Sequence, residues 1–387
     1  MKRRSIEVYL KRPDNEMAVR FRRLAINGKF LTAGPTGVHR VAEQLVRQLA
    51  MHRDELADLF EQPPRLITPP NAHNESLDVF DRERRGVFRG QLWEQIDLPR
   101  LTRSDLLLNL CNLGPMASRA AITMVHDAQT FTTPKSYSWA FGNWYRNVLP
   151  VLGHRHARIL AVSEFSANEL ARVGVARRDS ISVVPNGVDH LLDCASQPEI
   201  VQLLALDPRK FIVGLSNVQV HKNIGVLLKA FAASELDQLK LVLVGAAKRE
   251  EFEMLGHSVP SNVVFAGRIS DGELRALLES ALCVGFPSTT EGFGLPPLEG
   301  MSLGCPAVLA PCGALPEVGG GSALFAGPAD PRQWVAAIRR LADDADFWAN
   351  YSRAGRQRAG SFTWRRAGQK LVDVIKEVVL ADVAQGR

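Results

Sequence analysis

Two carboxylates, Glu291 and Glu299, flank a turn-rich apolar loop, Glu291-Gly-Phe-Gly-Leu-Pro-Pro-Leu-Glu299, with seven residues between them. A strand is expected over Cys283 to Pro287 before the loop, and a helix holding Leu298, Glu299 and Met301 after it. Loops that leave the carboxyl ends of strands are where open α/β sheets bind ligands. Gly292 and Gly294 have no Cβ, so their amides can approach a ligand closely. The helix start adds unsatisfied N–H groups and a partial positive charge. Carboxylates that accept hydroxyls and amides that take negative oxygens suit a polyhydroxylated, anionic molecule. A Gly/Pro connection with two solvated acids would show the same spacing.

Four further groups carry chemistry or its appearance. His221-Lys222-Asn223 follows an expected strand, Phe211 to Leu215, and precedes a helix. A lysine there could meet a diphosphate through charge-assisted bonds, although a helix start mildly disfavours a cation. His126-Asp127 ends the strand expected over Ala121 to Val125, where His126 could donate to a sugar hydroxyl or sit buried and bonded to backbone. Gly34-Pro-Thr-Gly37 opens a helix whose amides could receive a phosphate, but it lacks the Rossmann glycine pattern and can equally be a turn. Arg40 lies one turn further on. Asp344-Ala-Asp346 has the form of a metal–diphosphate motif, yet it falls inside an expected polar helix, Leu341 to Tyr351, and reads as a solvated face. No metal-ligand cluster is evident elsewhere. Trp139, Phe141, Trp144 and Tyr145, followed by Arg146, His154, Arg155, His156 and Arg158, could form an acceptor- or membrane-facing patch; the plainer reading is a packed helix pair with an aromatic core and a basic surface.

Elements that could position these groups alternate along the chain. Strands are expected over Leu24–Asn27, Leu66–Thr68, Leu106–Leu110, Ala121–Val125, Ile159–Val162 and Ile181–Val184. Val38, Val41, Leu45 and Leu49 recur at helical spacing after the first of these. In the second half, Phe211–Leu215, Leu241–Val244, Val263–Phe265, Cys283–Phe286 and Ala307–Leu309 read as strands. The helical patterns Ile224–Phe231, Glu273–Ser280 and Leu298–Leu303 separate them. This alternation predicts doubly wound parallel sheets covered on both faces. With 387 residues the chain exceeds what one core usually supports. The expected division is 1–195, 196–362, and a C-terminal amphipathic helix within 363–387 that buries Leu371, Val374, Ile375 and Val378.

A hydrophobic content of 46% with 23% charged residues excludes disordered and fibrous classes. The net charge of +6 favours phosphate-bearing ligands but is too small to indicate nucleic acid. Cys111, Cys194, Cys283, Cys305 and Cys312 form no C-x-x-C pair, and free thiols suit a reducing cytoplasm. No apolar run reads as a signal peptide or a membrane helix. A cytoplasmic protein is therefore expected. Its basic N-terminal residues (Lys2, Arg3, Arg4, Lys11, Arg12, Arg20, Arg22, Arg23) form a solvated face or a peripheral contact with anionic lipid at the inner face of the plasma membrane.

Taken together and in order, these segments resemble the retaining glycosyltransferases of family 4, which have the GT-B fold of two Rossmann-like domains facing a central cleft. The resemblance rests on HKN, EGFGLPPLEGM, GCPAVLA and ALPEV in the second half. In the first half it rests on NGKFL…TGVHR, the HD pair, AVSEFS and VPNGVD. GQLWEQIDLP and LLLNLCNLGP resemble a bacterial polysaccharide-assembly subgroup. The resemblance implies that Glu299 binds ribose hydroxyls, and that Glu291 with the amides of Gly292, Phe293 and Gly294, and Leu295 beside them, binds the donor sugar. It implies Lys222 on the diphosphate, Gly37 letting the N-terminal loop approach it, His126 near the reacting carbon, and Gly267, Arg268 and Ile269 along the base. Many members carry an arginine six residues before the lysine, where this chain has Ser216. His221, Arg40 or Arg268 could supply that second charge.

The implied donor is a nucleoside-diphosphate sugar linked through GDP, UDP or dTDP, mannose being one candidate sugar. The implied acceptor is a glycan or a lipid-linked saccharide. The departing phosphate oxygen would take the acceptor proton on the same face, with no metal or other cofactor. A nucleotide-sugar epimerase on the same fold and a non-catalytic nucleotide-sugar-binding protein are the alternatives.

Overall fold

Most of the apolar runs become strands buried on both faces. Leu106–Asn109 and Cys283–Phe286, for example, are buried at every position. Such runs suit parallel sheets sandwiched between helices. The computed structural model describes residues 21–34, 36–74 and 77–384. The basic residues Lys2, Arg3, Arg4, Lys11, Arg12 and Arg20, and Pro35 of the first glycine turn, lie outside the described residues.

Thirteen strands form two all-parallel sheets among the described residues. The first contains β1 (Leu24–Asn27), β2 (Arg65–Thr68), β3 (Asp81–Arg84), β4 (Leu106–Asn109), β5 (Ala121–Met124), β6 (Arg158–Ala161) and β7 (Ile181–Val183), in the order 3-2-1-4-5-6-7. The second contains β8 (Phe211–Leu215), β9 (Lys240–Val244), β10 (Val263–Gly267), β11 (Cys283–Phe286), β12 (Ala307–Leu309) and β13 (Leu324–Phe325), in the order 10-9-8-11-12-13. Each order reverses direction once, between β1 and β4 and between β8 and β11. Such switch points open crevices at the carboxyl ends of the strands. These are the two Rossmann-like units of the GT-B fold.

Two strands were not expected from the sequence. β3 reads Asp-Arg-Glu-Arg and is polar throughout. It lies at a sheet edge, where charge is tolerated and blunts further pairing, and Glu83 pairs with Arg65 of β2 at 2.9 Å. β13 is only two residues long and closes the opposite edge of the second sheet.

The helices that matter for the site are α1 (Gly37–Met51), α2 (Trp139–Arg155), α3 (Glu164–Arg172), α4 (Ile224–Phe231), α5 (Asp271–Ser280), α6 (Leu295–Ser302), α7 (Pro331–Asp343), α8 (Ala345–Ala359) and α9 (Trp364–Ala384). Several begin on side-chain caps. Ser138 accepts from the Phe141 amide, Ser163 from that of Ser166, and Ser270 forms a capping box with Glu273. The polar run Leu341 to Tyr351 is not one helix. Asp344 stops α7 and caps α8 by accepting from the Phe347 amide at 2.9 Å, so Asp344-Ala-Asp346 marks a helix junction on the exposed surface.

The aromatic stretch also differs from expectation. It is one helix, α2, and Trp139 and Phe141 are 79% and 43% exposed rather than core. Trp139 opens the helix on its solvent side. Phe141 instead stacks between Tyr137 and Tyr145, with ring centroids 5.4 and 4.3 Å away.

The last helix, α9, returns to the first sheet. Its face Leu371, Val374, Ile375 and Val378 is buried in a cluster that also holds Leu45 and Leu49 of α1. At Gly368 a Cβ would stand 2.4 Å from the Cβ of Gln48, so only glycine lets α9 lie this close to α1. Lys376 of α9 pairs with Glu55.

Candidate active site

A cavity of about 610 Å³ opens between the carboxyl edges of the two sheets. That is a usual size for a small-molecule site. The loop after β11 supplies Glu291, Gly292, Phe293 and Gly294 to its wall, and α6 supplies Leu295 and Glu299. The segment after β8 supplies His221 and Lys222. The first half adds Gly37, Arg40, His126 and Asp127. Gly294 makes the turn into α6 with a φ of +109°, a conformation open to glycine at little strain.

Lys222 ends a short 3₁₀ turn, and its aim is fixed by the next residue. Asn223 adopts a left-handed φ of 54°, and its side-chain Nδ2 donates to the carbonyls of Pro287 at 3.1 Å and Pro328 at 2.7 Å. Lys222 Nζ thereby donates to Glu291 Oε1 at 2.7 Å, with both side chains largely buried. Two opposite charges thus neutralise each other beside an open cavity. An anion could displace the carboxylate from Lys222 and free Glu291 for a hydroxyl.

His126 lies 6% exposed at the end of β5. Its Nε2 is 2.9 Å from the Leu110 carbonyl. A carbonyl can only accept, so Nε2 carries the ring proton and Nδ1 is an acceptor. Burial holds the imidazole down to about 4. His126 is therefore neutral near pH 7, and a ligand hydroxyl would have to donate to it; the expected donor role does not fit this geometry. Burial also pushes the neighbouring Asp127 carboxyl up, and the charge of Glu291 adds to the effect.

None of the three candidates offers an unpaired cation to the cavity wall. His221 is pushed down to about 4 by burial and by Lys222, and its Nδ1 lies 2.9 Å from Ser136 Oγ. Arg40 makes a two-pronged ion pair with Asp271 at 2.8 and 2.6 Å. Arg268 is exposed, and Gly267, Arg268 and Ile269 lie outside the cavity wall. Ser216, which stands where the resemblance places an arginine, is buried and donates to the Ala247 carbonyl at 2.6 Å.

The wall is built from both halves of the chain. The Gly292 carbonyl accepts from Ser163 Oγ at 2.6 Å and Ser166 Oγ at 2.9 Å, and Ser166 Oγ also lies 2.9 Å from the His126 carbonyl. A Cβ at Gly292 would stand 2.3 Å from that same His126 oxygen. The glycine here serves the approach of one sheet's loop to the other as much as the approach of a ligand. At the far side, Glu299 faces His190, with Oε1 3.1 Å from Nε2.

The sequence from 35 to 190 matches the family model Glycosyltransferase Family 4, and that from 196 to 358 matches Glycosyl transferases group 1. The two matches follow each other in the order of the two sheets and together take in more than half of the chain. The chain is a glycosyltransferase. It is 27% identical over 378 residues to the O-antigen chain mannosyltransferase B of Escherichia coli, a match covering 88% of this chain and 96% of that protein. The chain spans 54%, 60% and 62% of three further curated relatives it matches. Among solved structures, sucrose-phosphate synthase from Thermosynechococcus elongatus superposes with a TM-score of 0.71 at 17% identity, covering 93% of this chain and all of that one. HepE of Anabaena, solved with UDP and glucose, gives 0.68 at 17% identity over 92% of this chain and 99% of that one.

In this glycosyltransferase, several residues of the interface carried no signal of their own in the sequence. Glu317, noted only within ALPEV, reaches across to the start of α3 and accepts from the amides of Glu164 and Phe165 at 3.0 and 2.9 Å. Its carboxylate meets the positive end of that helix. Gln129 donates to the Thr290 carbonyl at 3.2 Å and accepts from Tyr137 at 2.8 Å. His190 and Asp271 were likewise unmarked. Among the described residues no cluster of three or more metal-ligating side chains is present and no helix is long and apolar enough to cross a membrane.

Proposed function

We propose that the enzyme transfers a hexose from a nucleoside-diphosphate sugar to a glycan or lipid-linked saccharide, retaining anomeric configuration, in bacterial polysaccharide assembly. One observation carries this reading: Lys222, Glu291, Glu299 and the Gly292–Gly294 amides line one cavity opposite His126. The likeness to a mannosyltransferase of O-antigen chains supports mannose and a polysaccharide acceptor. The UDP held by HepE supports a nucleotide-linked donor.

In this reading the diphosphate takes Lys222 away from Glu291, and Glu291 accepts a sugar hydroxyl in exchange. Negative charge grows on the leaving diphosphate as the glycosidic bond breaks, so a lysine fixed by Asn223 stabilises the transition state more than the ground state. Glu299 takes the ribose hydroxyls at the other end. His126 accepts a hydroxyl of the donor sugar and orients the reacting carbon. Burial makes His126 a weak base, holding it down to about 4, and burial holds the Asp127 carboxyl up toward its neutral form, so neither side chain is assigned as the base. The leaving phosphate oxygen takes the acceptor proton on the same face. Closure of the halves through Gly292 and Glu317 excludes water and limits hydrolysis of the donor. Catalysis proceeds in the cytoplasm without a metal, and the basic N-terminal segment meets anionic lipid where the acceptor is membrane-borne.

A thermal-shift panel of GDP-, UDP- and dTDP-sugars tests donor binding, because a ligand of the native state raises its melting point. Proton NMR of the product glycan tests retention, and turnover in EDTA tests metal independence. No shift with any member of the panel would overturn the donor assignment. An inverted product would overturn the stereochemistry.

A further inference from the structure

Behind Glu299, which lines the cavity, lies a buried polar atom that the mechanism above does not use. His190 is 7% exposed and Glu299 6%. The indole Nε1 of Trp364 donates to His190 Nδ1 at 3.2 Å. An indole nitrogen can only donate, so Nδ1 must be bare and the ring proton must sit on Nε2. That Nε2 is fully shielded from water and has no well-aligned partner among the described residues. The acceptor it approaches is Glu299 Oε1, at 3.1 Å but off the hydrogen-bond direction. A buried, unpaired N–H is costly. The terminal bond of Glu299 is a soft torsion, so an N–H at this place can select the orientation of a carboxylate that lines the cavity.

The support behind His190 is rigid. The Trp364 amide donates to Asp189 Oδ1 at 2.8 Å, and the Val188 amide donates to the Phe362 carbonyl at 3.0 Å. A Cβ on Gly187 would stand 2.2 Å from the Trp364 nitrogen. The two chain crossings between the sheets are thus laced together here, and His190 projects from the lacing onto Glu299.

We propose that His190, its tautomer set by Trp364, is a positioning residue that orients the Glu299 carboxylate for the ribose diol. Specificity for a ribonucleotide is thereby built partly from the crossing segments and not from the nucleotide-binding sheet alone. The inference rests on the reading of Glu299 as the ribose contact.

The test compares UDP and GDP, each with its 2′,3′-dideoxy counterpart, by calorimetric titration of the full chain. Wild type should prefer the ribose form. His190→Phe keeps the bulk and removes the N–H. It should lower that preference by about fivefold or more, the size of one ordinary net hydrogen bond, with dideoxy affinity unchanged within about twofold. His190→Gln, whose amide can still donate, should restore part of the preference. Trp364→Phe, which frees the tautomer, should reduce it in a chain whose His190 is intact, and it carries the test if His190→Phe does not fold. An unchanged preference in His190→Phe, or an equal loss for both sugar forms, would overturn the inference. Glu299→Gln separates the two readings. If it leaves the preference at the wild-type level, the ribose assignment fails; if it abolishes the preference while His190→Phe does not, only the role of His190 fails.

Discussion

The two ends of the cavity hold their charges in different ways. At the proposed sugar end the ion pair is internal to the second half: Lys222 and Glu291 both come from loops of the β8–β13 sheet. At the proposed nucleoside end the polar contacts cross between halves: the ion pair of Arg40 of α1 with Asp271 of α5, and the approach of the neutral His190 to Glu299 of α6. A pair within one half can be exchanged for ligand groups without moving a domain. A pair across the halves must break before the cleft can open. The first arrangement is suited to chemistry and the second to closure.

Breaking the exchangeable pair should have the largest effect. Lys222→Ala removes the cation assigned to the proposed leaving group, and kcat should fall by a factor on the order of 10²–10³. Donor binding should weaken as well, and steady-state kinetics with the best donor of the panel would measure both. Near-normal turnover would show that the leaving group is stabilised elsewhere.

Gly292→Ala attacks the seam between the ends. Its Cβ would press on the His126 carbonyl at 2.3 Å, and backbone on both sides leaves little room to yield. Turnover should fall by about tenfold or more, while the nucleoside diphosphate still binds the second half. Unchanged kcat would show that the seam yields without cost to turnover.

The crossing pair should matter less. Arg40 and Asp271 are 29% and 38% exposed, so their pairing contributes about 1 kcal/mol or less. Asp271→Asn should therefore change donor KM by up to about fivefold. The wild-type donor KM should move toward the mutant value as salt is raised. A kcat effect as large as that of Lys222→Ala would erase the distinction between the two ends.

The smallest effect concerns pH. His126 and His221 at the sugar end, and His156 behind it, are each pushed down to about 4 by burial. Unfolded histidine titrates near about 6.5. Between those values the unfolded chain binds more protons than the native one, so stability rises with pH there and is lost as pH falls from about 6.5 toward 4. Urea midpoints at pH 7.5, 6 and 5 should decline in that order, and His156→Gln should flatten the decline. A midpoint that rises on acidification would contradict the burial of these rings.

What could be read from the sequence follows from locality. The ligand loops were legible because glycine, proline and charge cluster within a few positions of an apolar strand, as in Glu291 to Glu299 and His221 to Asn223. The two sheets were legible because strands buried on both faces read as short apolar runs. β3 was not, because an edge strand can be polar throughout, and β13 was too short to register. The return of the last helix to the first half was expected from the family resemblance, but the polar contacts across the interface could not be read. Arg40 and Asp271 lie 231 positions apart, and nothing in either neighbourhood names the other. Nor does sequence fix the proton on His126, which is decided by a carbonyl 16 positions away.

The most direct test of the exchange at Lys222 is a crystal structure of the enzyme soaked with GDP or UDP. The expected result is a phosphate oxygen within hydrogen-bond distance of Lys222 Nζ and the Glu291 carboxylate turned away from it. A nucleotide bound elsewhere, or one bound in the cleft with the Lys222–Glu291 pair intact, would contradict it.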